Sequence, residues 1–133
     1  HLLLINVESL GLTGRMSEKA VRDAGITINR NSIPFDPNGA WYTSGLRIGT
    51  PATTTLGMGV TEMIQIGRIL SDILKNISPA KITKGPNIGK LSKANYLLDD
   101  QVLQKARVGV GSLLDKYPVY PSVDVDFLKD ICK

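Results

Sequence analysis

The sequence predicts an α+β fold, a small and mostly antiparallel sheet with helices packed on one face. Strand-like runs and helix-period runs follow one another as strand, helix, strand, loop, strand, helix, loop, helix, helix. No strand–crossover–strand unit of uniform length recurs, so a parallel doubly wound sheet is not indicated. The chain has 133 residues and 42% apolar content, which suits one domain with one core.

The elements follow in order. Leu2 to Val7 is a nearly continuous apolar run and reads as a strand covered on both faces. Thr13 can cap a helix from about Gly14 to Ala24. Met16, Ala20, Val21 and Ala24 share one side of it, and Gly25 supplies a left-handed stop. "ITIN", residues 26–29, alternates as a half-buried strand. The next stretch is punctuated by Pro34, Pro37, Gly39 and Gly45 and reads as a long connection without helix. Such a loop is uncommon in a small domain and is often functional. "LRIGT" follows as a strand, and Pro51 starts a turn. A helix is expected from about Gly57 to Asn76, with Met63, Ile66, Gly67, Leu70, Ile73 and Leu74 as its apolar stripe. The lysine-rich stretch beyond it, broken by Pro79, Gly85, Pro86 and Gly89, reads as loop. A second long helix is expected from about Asp99 to Lys116, weakened by Gly109 and Gly111. Asp124 can cap a last short helix carrying Phe127, Leu128 and Ile131.

Composition excludes several function classes. No apolar run approaches the ~18–20 residues needed to span a bilayer, so no membrane partner is expected. His1 and Cys132 are the single histidine and the single cysteine, at opposite ends of the chain, so no zinc spacing exists. One thiol cannot form an internal disulfide, which favours an intracellular, cytoplasmic setting. The absence of an initial methionine suggests a processed product, a fragment or a trimmed chain. The net charge is +4, and Lys75, Lys81, Lys84, Lys90 and Lys93 stand in a segment free of acids. That segment has no arginine and only Tyr96 nearby, so it reads as a solvated loop and no nucleic-acid partner is expected. Gly57-Met58-Gly59 and "TKGPNIGK", residues 83–90, lack the context of a phosphate cradle. Asp99, Asp100, Asp124 and Asp126 sit where helix starts favour acids.

Arg47 is the position with the most chemical content. Its planar fork matches a carboxylate or phosphate with two parallel hydrogen bonds. Ser44, Gly45, Gly49 and Thr50 around it leave room for a ligand to approach the backbone. Taken alone, an ordinary strand arginine with its head in water is the simpler reading.

"LTGRMSEKAVRDAGITINRNSIPFDP" followed by "TSGLRIGTPATT" resembles the C-terminal part of the serine hydroxymethyltransferase family. "HLLLINV" looks like the strand leading into that domain, and "KYPVYP" looks like the family's usual chain end. The resemblance spans residues 1–120, with a lysine-rich insertion near 78–94 and an extension over 121–133. It implies the C-terminal small domain of an aspartate-aminotransferase-like, fold type I pyridoxal-phosphate enzyme. Such an enzyme interconverts serine and glycine, with tetrahydrofolate as co-substrate, and is a cytoplasmic homodimer. The resemblance assigns Arg47 to the substrate carboxylate and Asn31 to the folate. No catalytic residue and no metal site fall in this segment. The coenzyme's lysine would lie in a missing N-terminal large domain, so the segment alone would be inactive. Arg30 stands where lysine is usual, and Leu56 where arginine is common. A non-catalytic stand-alone domain binding carboxylates or a partner is the alternative.

Overall fold

The computed structural model describes residues 1–119, and the expected helix at Phe127–Ile131 lies outside them, as do Asp124, Asp126 and Cys132. The elements are β1 (Leu2–Asn6), α1 (Gly14–Asp23), β2 (Asn29–Asn31), α2 (Gly39–Tyr42), β3 (Gly45–Gly49), α3 (Pro51–Thr55), α4 (Val60–Asn76), β4 (Ser78–Lys81), β5 (Leu91–Leu97) and α5 (Asp100–Lys116). A 3-10 turn, Glu8–Leu10, leads from β1 toward α1. The fold is α+β, and every strand pairing among the described residues is antiparallel.

The strands form two sheets, one of order β1-β3-β2 and one of order β4-β5. In the first, Ile5 lies opposite Leu46 and Leu3 opposite Ile48. Leu46 is fully buried and joins Val7, Met16, Val21, Leu70 and Ile73 in the core, with Ile5 and Ile48 packed against it. Side chains alternate across a strand, so the other face of this sheet carries Leu2, Leu4, Arg47, Asn29 and Asn31.

Helix α1 forms where its capping residue requires it. Thr13 Oγ1 accepts from the Met16 amide at 3.2 Å, Gly25 follows the last turn at φ 93°, and Met16, Ala20, Val21 and Ala24 are buried. Helix α5 begins at its expected cap, with Asp99 Oδ1 accepting from the Gln101 amide at 2.7 Å. Gly109 has a structural use. A Cβ there would lie 3.0 Å from Ile69 Cδ1, so the glycine lets α5 approach α4.

Several expectations are corrected. β1 is an edge strand, with Leu2, Leu3 and Leu4 exposed, so it is not covered on both faces. The strand expected at residues 26–29 lies at Asn29–Asn31, because Ile28 dives into the core before pairing starts. The long connection holds one helical turn, α2, and Pro51 opens the short helix α3, where its missing N–H costs nothing. Helix α4 starts at Val60, since Gly57 (φ 87°) ends the preceding segment. The lysine-rich stretch is a hairpin. Its inward positions are the small or polar Ser92, Ala94 and Tyr96, so no apolar alternation marks it in the sequence. Pro79 is tolerated because β4 has only one partner, and the register slips between Pro79 and Lys81.

Candidate functional site

The site begins with the way the connection 32–44 is tied down. Asp36 gathers four hydrogen bonds. Its Oδ2 accepts from the amides of Ile33 (3.1 Å) and Ser44 (2.7 Å), and its Oδ1 from the amide of Asn38 (2.9 Å) and Ser44 Oγ (2.7 Å). Asn38 Nδ2 donates to Ser44 Oγ at 3.0 Å, and Lys93 Nζ donates to Asn38 Oδ1 at 3.1 Å. Desolvation, the largest single influence, pushes the Asp36 carboxyl up. The bonds from the Ser44 hydroxyl and from the Asn38, Ile33 and Ser44 amides together hold it below the ordinary carboxylate value. One carboxylate therefore fixes both ends of the connection and the start of β3.

The backbone entering β3 is crowded. Thr43 is buried with φ 55°, a region that a β-branched residue rarely enters. Its carbonyl accepts from the Gly14 amide at 2.9 Å. A Cβ at Gly14 would lie 2.2 Å from Thr43 Oγ1 and 2.6 Å from the Gly45 carbonyl. A Cβ at Gly45 would lie 2.7 Å from the Asn31 carbonyl and 2.9 Å from Ile33 Cγ2. Glycine at both positions lets α1, β2 and β3 meet.

Arg47 stands in the middle strand, opposite Leu4 on one side and Asn29 on the other. It faces away from the core and is exposed. Among the described residues no carboxylate or hydrogen-bond partner holds its guanidinium, whereas Arg22 and Arg30 both reach Glu18. Asn31 pairs with Gly45, one step diagonally from Arg47 on the same face; such diagonal neighbours lie about 7–8 Å apart. Asn31 is half-buried, and its Nδ2 donates to the Ser32 carbonyl at 2.8 Å, a local bond of the kind asparagine makes in turns. Its Oδ1 has no partner among the described residues. The two predicted residues thus share one open face. Four concavities of about 270–530 Å³ among the described residues are lined without Arg47.

Arg30 points to the opposite side from Asn29 and Asn31 and pairs with Glu18 at 2.6 Å. Leu56 is half-buried where α3 ends, and nothing in the structure explains it. Asp36 was missed by sequence reasoning. The proline after it and the serine eight residues on are the signal that a turn knot was present. No helix among the described residues is long and apolar enough to cross a membrane, and no group of three or more His, Cys, Asp or Glu among them could hold a metal.

Residues 1–70 match the family described as serine hydroxymethyltransferase. The chain is 49% identical over 129 residues to the serine hydroxymethyltransferase of Treponema pallidum, covering 97% of this chain and 22% of that protein. It is 43% identical over 128 residues to that of Chlamydia muridarum, covering 96% of this chain and 25% of that protein. Identity to that of Salinispora tropica is 45% over 125 residues, covering 94% of this chain and 25% of that protein. The chain spans about a quarter of the length of the curated relatives it matches.

Proposed function

The chain belongs to the serine hydroxymethyltransferase family, and on that premise we propose that it is the C-terminal part of an enzyme interconverting serine and glycine with tetrahydrofolate. Arg47 would receive the amino acid's α-carboxylate, and Asn31 would contact the folate. One observation carries this reading. A guanidinium without a partner among the described residues stands on the open face of the sheet, one diagonal step from Asn31.

The chemistry follows from the side chains. The Arg47 fork donates two parallel N–H bonds to the carboxylate and fixes the plane of the bound amino acid. The Oδ1 of Asn31, without a partner among the described residues, can accept from a heterocyclic N–H. The Asp36 knot and the close approach at Gly14 and Gly45 hold the strand that carries Arg47, so the backbone that presents the fork is set before the substrate arrives.

Pyridoxal phosphate would supply the electron-withdrawing ring of such an enzyme. The lysines among the described residues are exposed, and none stands on the Arg47 face of the sheet. They do not fit as its attachment, and we place that lysine in the part of the family's length this chain does not span. The cytoplasmic setting and the homodimer belong to the same proposal.

The test is Arg47→Ala in the full-length protein. Hydrogen bonds to charged groups are worth about 1.5–3 kcal/mol each, so kcat/KM for serine should fall roughly 10²- to 10³-fold while the coenzyme's absorbance is retained. Arg47→Lys should also be poor, because a point charge loses the paired geometry. Near-normal serine turnover by Arg47→Ala would overturn the assignment.

A further inference from the structure

We propose that the outer surface of α1, with β5 and α2 beside it, binds single-stranded nucleic acid. It lies on the side of the sheet away from Arg47 and does not depend on the serine site. A groove of about 290 Å³ is lined by Arg15, Glu18, Lys19, Arg22, Arg30 and Asn95. Arg15, Lys19 and Arg22 follow one another at i, i+4 and i+7 on α1, a stripe roughly 10 Å long. Arg30 joins from β2, and Lys93 of β5 stands beside Tyr42 at the edge.

The charges are not balanced locally. Among the described residues Glu18 is the groove's one carboxylate, and it is shared by Arg22 (3.3 Å) and Arg30 (2.6 Å). Asp23 at the margin is bonded by the Tyr96 hydroxyl. Among the described residues Arg15 has no carboxylate partner, and Lys19 and Lys93 bond only the neutral Asn95 and Asn38. Like charges gathered on one surface repel, and a polyanion lying along them would relieve that repulsion.

Aromatic rings alternate with these cations. The Arg15 guanidinium lies 4.6 Å from the Trp41 ring centroid and 6.0 Å from that of Tyr42. Lys93 Nζ is 5.8 Å from the Tyr42 ring, and Lys19 Nζ is 5.8 Å from the Tyr96 ring. Trp41 is 63% exposed although it is large and apolar. A carboxylate chain would use the cations and leave the rings idle. Phosphates on the cations with bases stacked on Trp41 and Tyr42 would use both. The lysine run alone lacks this mixture, and it emerges only when α1, α2 and β5 come together.

The test is fluorescence anisotropy of a labelled single-stranded RNA of about 12 nucleotides, within the usual site size, with the full-length protein containing this chain. Three to four phosphate contacts predict binding that weakens roughly 20- to 50-fold between about 50 and 200 mM salt. Lys19→Ala should lower the salt slope by about one. Trp41→Ala should weaken binding roughly tenfold, and Trp41→Phe should restore most of it. Arg47→Ala should leave RNA affinity unchanged while serine turnover falls, which keeps the two sites distinguishable. Both Lys19 and Trp41 are exposed, so the variants should fold. Three results would each overturn the proposal: no binding at low salt, indifference to Trp41→Ala, or equal competition by polyglutamate of matched charge.

Discussion

Thr43, Gly14 and Asp36 show how few atoms fix the start of β3, the strand that carries Arg47. Thr43 holds a strained backbone and a buried hydroxyl without a partner among the described residues. That strain persists because Gly14 donates to its carbonyl and Asp36 binds the next residue twice. Gly14→Ala would force a Cβ against the Thr43 side chain and the Gly45 carbonyl. A backbone oxygen cannot swing away, so the cost should reach about 3 kcal/mol, read as a fall in the urea midpoint. Asp36→Asn keeps the volume but loses the charge and an acceptor for two amides. It should lower stability at neutral pH and lower kcat/KM for serine. Because the folded carboxyl lies below its ordinary value, its stabilisation is present above that value and fades as pH falls through the folded one. The place of Arg47 on a strand was legible in the sequence, because "LRIGT" reads as extended chain. The knot was not, since a carboxylate that collects amides from three places in a loop leaves no periodic trace.

At the scale of elements, one acid joins the start of α4 to the end of α5. Glu62 in the first turn of α4 accepts from Tyr117 Oη at 2.8 Å, from Lys116 Nζ at 3.0 Å and from the Gly59 amide at 3.0 Å. The Tyr117 hydroxyl foremost, then Lys116 and the Gly59 amide, hold its carboxyl down at about 2. The start of α4 is thereby tied to the end of α5. A carboxyl lowered from 4.5 to about 2 stabilises the fold fully above pH 4.5, and that contribution is lost as pH falls toward 2. Glu62→Gln should therefore lower the urea midpoint at pH 7 and flatten its decline between pH 4.5 and 2. Tyr117→Phe should shrink that decline and raise the pH at which it ends, because the folded carboxyl then lies closer to 4.5. A decline in Glu62→Gln as steep as in the parent would show that another acid controls it. The two long helices were legible because their apolar residues recur at helical spacing over seventeen residues each. The β4–β5 hairpin was not. Its two prolines and glycines suggested loop, and its inward side chains contribute a hydroxyl and a methyl where apolar alternation was sought.

On the scale of the whole molecule, apolar surface is placed where a single copy of this chain leaves it wet. Leu2 and Leu4 lie on the Arg47 face, and Leu3 lies at the sheet's edge, with 44–58% of each exposed. Val60 and Ile64 of α4 and Val108 and Leu114 of α5 are exposed as well. Exposed apolar side chains standing singly need no explanation, but three consecutive leucines on an edge strand do. β1 is the outer strand of its sheet, and no proline or lysine interrupts it. In a protein four times as long, as the matched relatives are, the remaining length is the natural cover for this face. The 133-residue chain prepared alone should then associate through it. Its apparent mass in size-exclusion chromatography should rise with concentration, and Leu2→Lys with Leu4→Lys should return it to a monomer without lowering its urea midpoint. The charge pattern sharpens this expectation, since among the strand residues described the leucine face carries Arg47 as its one charge while the α1 cations line a groove elsewhere. A chain that stayed monomeric at every concentration would mean that β1 is protected within these residues and that the leucines do not wait for the rest of the protein.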